Sequence, residues 1–207
     1  MKELETILDK SSFVDELNIL LKEGGVIAFV TDTVWGLGCL PNSKKGVDKI
    51  YEIKGRDRSK PLILMSNNKE NLFPYVESIS KTAGNLMKEY FPGALTIVME
   101  KSENTPEYIT SGKNTVGIRV PNNEFFKKLC SVIDGHVLAT TSANLSNHPS
   151  SKTYEMAKES IGSLVDIVFE DYGYGCAGKE STVILVENEN VKVLRQGSIN
   201  LPNNLKD

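Results

Sequence analysis

Apolar residues recur along this chain in two alternating rhythms. In "SSFVDELNILLKEGG", Phe13, Leu17, Leu20 and Leu21 share one helical face, Ser12 and Asp15 stand at cap spacing, and Gly24-Gly25 marks a stop, so a helix is predicted. The run "VIAFVT" then reads as a buried strand, and Val47, Ile50 and Tyr51 return to helical spacing in "SKKGVDKIYEIKG". Further on come the strand "PLILM", the helix "SISKTAGNLMKEYF" closed by Pro92-Gly93, and the strand "ALTIVME". "TVGIRV", the helix "NEFFKKLCSVID" and "VLATT" repeat the alternation, and "DIVFE", "STVILV" and "VKVLR" add late strands. With no repeat, heptad or low-complexity tract, the pattern predicts a single α/β domain over residues 1–207, built on a twisted mixed β-sheet with flanking helices.

Composition narrows the function classes. A chain of 207 residues that is 40% hydrophobic and 25% charged can bury a full core. A net charge of -3 argues against a protein that wraps nucleic acid over its whole surface but leaves room for a local basic site. Cys39, Cys130 and Cys176 are far apart, odd in number and lack CxxC spacing, which points away from a disulfide framework or zinc knuckle and towards a reducing compartment. The N-terminal "MKELETILDKSS" has no apolar core of an export signal, and no run approaches the roughly 20 apolar residues of a membrane span. A cytoplasmic protein without a membrane partner is expected.

Polar chemistry collects where the predicted strands end, at "TDTVWG", "TVGIRVP", "TTSANLS" and "ESTV". Ligands of open α/β sheets sit beyond strand ends, whereas Ser, Thr and Asn also serve turns and caps. Turn chemistry does not require Arg119 inside a strand, or Trp35 beside two glycines in "VTDTVWGLG". The most basic stretch, "KKGVDKIYEIKGRDRSKP", places Lys54, Arg56, Arg58 and Lys60 across a helix end and the loop after Gly55. It has two readings: a solvated helix terminus complementing its dipole, or a clamp for ATP or another polyphosphate in which Arg supplies a planar fork and Lys a point charge.

Two phosphate motifs fail on context. "GYGCAG" fits GxGxxG and "GYGCAGKE" nearly fits a P-loop, but both need a helix to open there and "STVILV" reads as strand; Glu180 also stands where a P-loop has Ser or Thr. Only His136 and His148 are available for a histidine metal site or a Ser-His-Asp triad, so no metal-ligating residues are assigned.

Taken together, "TDTVWGLGC", "IYEIKGRDRSKPLIL", "FPGALTIV", "TVGIRVPN", "TTSANLS", "STVILV" and "VLRQGSI" resemble, in order and over residues 26–199, the signatures of the YrdC-like threonylcarbamoyl-AMP synthases. The resemblance implies a YrdC-like fold with a concave, positively charged ligand cavity on the sheet. It also implies a nucleotidyltransferase that converts ATP, L-threonine and bicarbonate into threonylcarbamoyl-AMP and pyrophosphate. The product would feed tRNA threonylcarbamoyladenosine modification through downstream transfer proteins, with weak tRNA contact possible. Mg²⁺ would accompany ATP.

By the same resemblance Lys54 and Arg56 are the catalytic pair, and Lys54, Arg56 and Lys60 hold the triphosphate. Ser142, Asn144, Ser150 and Arg195 contact the nucleotide. Thr33, Arg119 and Ser181 embrace threonine, with Thr115 and Thr140 as further walls or donors of that pocket. "VTDTVWGLG" would then be a strand that delivers Thr33, with Trp35 and the glycines shaping the mouth. No protein nucleophile is needed: a threonine-derived carbamate attacks the α-phosphate and expels pyrophosphate while the protein positions and neutralises. Asp32 is read as bracing the turn.

Departures from the family pattern are Trp35 where Tyr is common, Asp57 where Pro is frequent, and Met65 where some longer relatives have His. Ending soon after "VLRQGSI", the chain resembles the single-domain form. Two other classes stay open: an RNA-binding or ribosome-assembly module using the basic cavity, and a carbamoyl-adenylate transferase with another acceptor.

Overall fold

The computed structural model describes residues 6–202. Residues 1–5, which belong to the stretch read as lacking an export signal, and residues 203–207, the end of the expected domain, lie outside the described residues.

Along the chain run α1 (Ser11–Lys22), β1 (Ile27–Phe29), β2 (Gly36–Cys39), α2 (Lys44–Lys54), β3 (Ile63–Ser66), α3 (Lys81–Tyr90), β4 (Leu95–Glu100), α4 (Glu107–Thr110) and β5 (Thr115–Arg119). They are followed by α5 (Glu124–Val132), β6 (Val137–Ser142), α6 (Tyr154–Ile161), β7 (Ile167–Val168), β8 (Thr182–Glu187) and β9 (Asn190–Arg195). The nine strands form one sheet in the order β7-β1-β2-β6-β3-β5-β4-β8-β9. β1/β7, β3/β5 and β4/β8 pair in parallel and the other neighbours antiparallel, which is the mixed α/β sheet expected from the alternating pattern. Among the described residues no helix is long and apolar enough to cross a membrane.

Caps fix where the helices begin. Ser43, Ser80, Asn123 and Thr153 each accept the backbone N–H three residues on, at Gly46, Ala83, Phe126 and Met156, satisfying donors the helix itself leaves free. At the far end of α2, Gly55 adopts φ 54, ψ 39, a left-handed turn that closes the helix and redirects the chain into the basic loop. One sheet face is sealed by an aromatic cluster. Phe29 meets Phe126 at 5.3 Å between ring centres, and Phe125 lies 5.5 Å from Phe169 and 5.4 Å from Tyr172.

Three expectations are corrected. Ser12 does not cap α1, which begins at Ser11 with Lys10 as its cap residue. Helix α6 was not foreseen, although Thr153 as cap and Ala157 and Ile161 at i, i+4 carry its signature. Nor is "VTDTVWGLG" one strand, although Trp35 and Gly36 do line the cavity. Residues 30–35 turn between β1 and β2, and Gly36 and Gly38 are strand residues, paired with Phe29 and Ile27 on one side and Ser142 and Thr140 on the other. Their missing side chains make room for Phe29: a Cβ on Gly36 would stand 2.7 Å from that ring. The two glycines thus leave space for the Phe29 ring packed across the hairpin.

Gly36→Ala should accordingly destabilise the fold by about 1–3 kcal/mol through overpacking against Phe29, read as a lower urea midpoint at unchanged slope. A midpoint equal to that of the parent protein would show that the ring moves aside freely.

Candidate active site

A cavity of about 250 Å³ opens on the sheet where the β1–β2 turn folds over the ends of β3, β5 and β6. Its organising residue is Arg119, at the end of β5 and only 2% exposed. Its Nε donates to Gly93 O at 3.0 Å, Nη1 to Thr33 Oγ1 at 2.8 Å and Nη2 to Asp32 Oδ1 at 2.5 Å. A guanidinium has five N–H donors, so two stay available to a guest. Burial pulls the Arg119 pKa down while Asp32 opposes it, and the Asp32 carboxylate keeps the buried charge compensated. Asp32 thus braces an arginine as well as the turn it sits in.

The turn is held from several sides. Ala177 N and Gly178 N donate to the carbonyls of Asp32 and Thr33, Trp35 N donates to Ser151 O, and Ala143 N donates to Trp35 O. Thr31 Oγ1 donates to Val34 O at 2.7 Å and lies 3.1 Å from Thr33 Oγ1. The hydroxyls and carboxylate that look out of place after an apolar strand therefore form the internal bonding of a rigid turn. Trp35, 1% exposed, is a cavity wall and packs on Tyr154 at 6.0 Å.

Opposite the turn, Ser181, just before β8, contributes a buried hydroxyl 2.9 Å from Thr96 Oγ1. Arg195 at the end of β9 donates through Nη2 to Ser181 O at 3.0 Å and to Ser181 Oγ at 3.2 Å, and pairs through Nη1 with Glu180 at 2.6 Å. Arg56 closes this side, its Nε and Nη2 donating to the carbonyls of Lys60 and Pro61 at 3.2 Å. Burial lowers the Arg56 pKa, and repulsion from Arg195 lowers it further. Arg56, Arg119 and Arg195 thus converge on one small space. Such a field favours an anion.

Lys54 has a different place. It is 3% exposed at the last position of α2, behind the wall, and its Nζ donates to Ser142 O at 2.5 Å, Asn144 O at 2.6 Å and Asn144 Oδ1 at 3.1 Å. Ser146 N donates back to Lys54 O at 2.8 Å. This double link ties α2 to the loop after β6 and removes the solvated-terminus reading for Lys54. Burial, with repulsion from Arg56, brings its pKa down to about 7, partly offset by attraction to Glu180.

Of the residues singled out from sequence, Thr33, Arg56, Arg119, Thr140, Ser142, Ser181 and Arg195 line the cavity. Asn144 stands just behind it, accepting from Ser142 Oγ at 2.6 Å and donating to His148 O at 2.6 Å. Ser150 reaches the rim through Glu180 Oε1, to which it donates at 2.7 Å. Lys60 is exposed and meets the site only through its carbonyl, which accepts from Arg56 and from Tyr51 OH. Thr115 does not belong to it. It begins β5, paired with Glu100, four residues or about 13 Å of strand from Arg119. Shared side-chain parity along the strand places both residues on one face, but only the far end reaches the cavity.

Sequence reasoning passed over Glu180 and Thr96, both cavity residues. Glu180 had a signal, as an acid between a glycine loop and the strand-end Ser181. Asp57 binds the backbone N of Ser59 at 2.8 Å and leaves Arg56 without an ion pair among the described residues. Met65 stays buried in the wall. Among the described residues no three His, Cys, Asp or Glu side chains converge as a metal group, and the cavity carboxylate Glu180 and the adjoining Asp32 are each engaged by an arginine, so the donor set does not form a magnesium cage.

Comparison with known proteins places this geometry. The Sua5/YciO/YrdC family model, described as telomere recombination, matches residues 19–197. A Pyrococcus abyssi protein named threonylcarbamoyl-AMP synthase is 36% identical over 182 residues, which cover 87% of this chain and 53% of that protein. A Thiobacillus denitrificans protein of the same name is 34% identical over 168 residues, 81% of this chain and 88% of that one. The crystal structure of P. abyssi Sua5 complexed with L-threonine superposes with a TM-score of 0.83 at 33% identity, covering 91% of this chain and 55% of that chain. The chain therefore spans about half the length of the Pyrococcus relative.

The buried Lys54 also predicts a pH effect on stability. With a folded pKa near 7 and an ordinary value of 10.5, the unfolded chain binds more protons across that interval, so this group's contribution to stability rises with pH. Between pH 7 and 8.5 the parent should gain about 1 kcal/mol per pH unit relative to Lys54→Met, measured by urea unfolding. Parallel pH profiles for the two proteins would contradict the shift.

Proposed function

The chain belongs to the Sua5/YciO/YrdC family, and from that premise we propose that it is a threonylcarbamoyl-AMP synthase, forming threonylcarbamoyl-AMP and pyrophosphate from ATP, L-threonine and bicarbonate. The observation that carries the reading is the meeting, in one cavity of about 250 Å³, of a buried arginine with two free donors and a pair of arginines on the opposite side. The first matches an amino-acid carboxylate and the second a polyphosphate.

In this reading Arg119 receives the threonine carboxylate in a planar fork, and Thr33, Thr140 and Ser181 offer hydroxyls to the side chain and amine. The unprotonated amine adds to carbon dioxide with loss of a proton, or to bicarbonate with loss of water, to give a carbamate. Its oxygen attacks the ATP α-phosphate in line, the bond to the bridging oxygen breaks, and pyrophosphate departs with the electron pair. Arg56 and Arg195 neutralise charge as it builds on the leaving group. Lys54 acts from behind: it holds the Ser142–Asn144 loop beside the nucleotide. Mg²⁺ would arrive on the triphosphate, where it screens phosphate charge. Transfer to tRNA falls to downstream proteins that accept the adenylate.

An RNA-binding role receives less support from this geometry. Trp35, the aromatic of the cavity, is 1% exposed and so offers no platform for stacking a base. An acceptor other than threonine is separated by experiment.

Pyrophosphate release should require ATP, L-threonine and bicarbonate together, with each omission reducing it to background. Release that continues undiminished without threonine would overturn the assignment. Arg119→Lys, which keeps the charge but loses the fork, should raise the threonine concentration for half-maximal rate at least tenfold while moving that for ATP by less than about threefold. Unchanged threonine dependence would return Arg119 to a structural role.

A further inference from the structure

Two acid–arginine pairs border the cavity, and they differ in how readily they open. Asp32–Arg119 is sealed, with side chains 16% and 2% exposed; Glu180–Arg195 stands at the rim, 39% and 47% exposed. Opening the first would strand a buried charge, whereas a half-exposed pair contributes little net free energy and parts easily. Any anion entering the arginine-lined end therefore meets one pair that is fixed and one that is exchangeable.

The exchangeable pair is built for that trade. Glu180 uses its two oxygens separately, Oε1 accepting from Ser150 and Oε2 facing Arg195 Nη1. Arg195 is meanwhile anchored from the other side by Ser181 O and Ser181 Oγ. If the carboxylate swings out, the guanidinium stays aimed at the cavity and its Nη1 is free. Ser150 is released in the same event.

We infer that Glu180 is a built-in stand-in for phosphate: it occupies Arg195 and Ser150 while the site is empty, gives them up to the polyphosphate of the substrate, and takes them back as pyrophosphate leaves. The role rests on the synthase reading for its ligand and adds a residue that sets the strength of phosphate binding. Glu180 is a positioning residue, acting through Arg195. An acid here weakens the grip on a polyanion, and a site that must release pyrophosphate in every cycle turns over faster for it.

The test is calorimetric binding of pyrophosphate, without threonine or bicarbonate, to the full chain and to Glu180→Gln, Arg195→Gln and the double variant. Glu180→Gln retains an acceptor for Ser150 and removes the charge, so it should bind pyrophosphate roughly tenfold more tightly, with a melting temperature within about 3 °C of the parent. In the Arg195→Gln background the same change should tighten binding by less than about threefold, because the competition acts through that guanidinium. Turnover of Glu180→Gln should fall as product release slows. Unchanged or weaker pyrophosphate binding in Glu180→Gln, equal tightening in both backgrounds, or a large fall in melting temperature would each overturn the inference. Since binding is read without catalysis, loss of threonine-dependent turnover in the parent would sink the synthase reading alone. Intact turnover with an unaltered affinity in Glu180→Gln would sink the counter-ion alone.

Discussion

The bridge from Arg119 to the β1–β2 turn is the constraint on which the cavity depends. β5 and β2 are separated in the sheet by β3 and β6, yet Arg119 at the end of β5 reaches Thr33 and Asp32 in the turn that leads into β2. A flat sheet would hold strands three places apart at roughly 14 Å. The contact requires the turn to fold back over the sheet, and the space beneath it is the cavity. A buried guanidinium tolerates that position only with a carboxylate and neutral acceptors around it, so Asp32, Thr33 and the Gly93 carbonyl are conditions of the fold as well as features of the site. The same rigidity fixes the direction of the two remaining donors.

A second tie, Lys54 to the loop after β6, performs the corresponding task on the side of Arg56 and Arg195. Three oxygens surround its ammonium group, and α2 cannot shift without moving Ser142 and Asn144. Lys54 was expected as a phosphate ligand, and in this geometry it is first a joint between two chain segments. On this side Arg56 and Arg195 are the cations that face the space directly, as Arg119 does on the other. Charge thus lies in two layers, one facing the guest and one holding the wall.

Much of this was legible in the residues. Buried runs such as "STVILV" announced strands, and polar side chains at strand ends marked the rim of the site. What stayed hidden depends on separations no local pattern encodes. Asp32 and Arg119 lie 87 residues apart and Lys54 and Asn144 90 apart, so neither pairing leaves a periodic trace. Gly36 and Gly38 were read only as shaping the cavity mouth, because the ring of Phe29 that also requires them lies across a turn. Thr115 shows the opposite error: alternation gives the face of a strand but not which end meets the ligand.

The central claim is that Arg119, fixed by Asp32, Thr33 and Gly93, is a seat for the carboxylate of a small amino acid. The most direct measurement compares L-threonine with L-threoninamide, which differs at the carboxylate alone, by calorimetry on the unmodified chain in the presence of a non-hydrolysable ATP analogue. The account predicts that the amide binds at least about a hundredfold more weakly, since a charge-assisted bidentate contact contributes on the order of 3 kcal/mol. Equal affinity for the two ligands would contradict it.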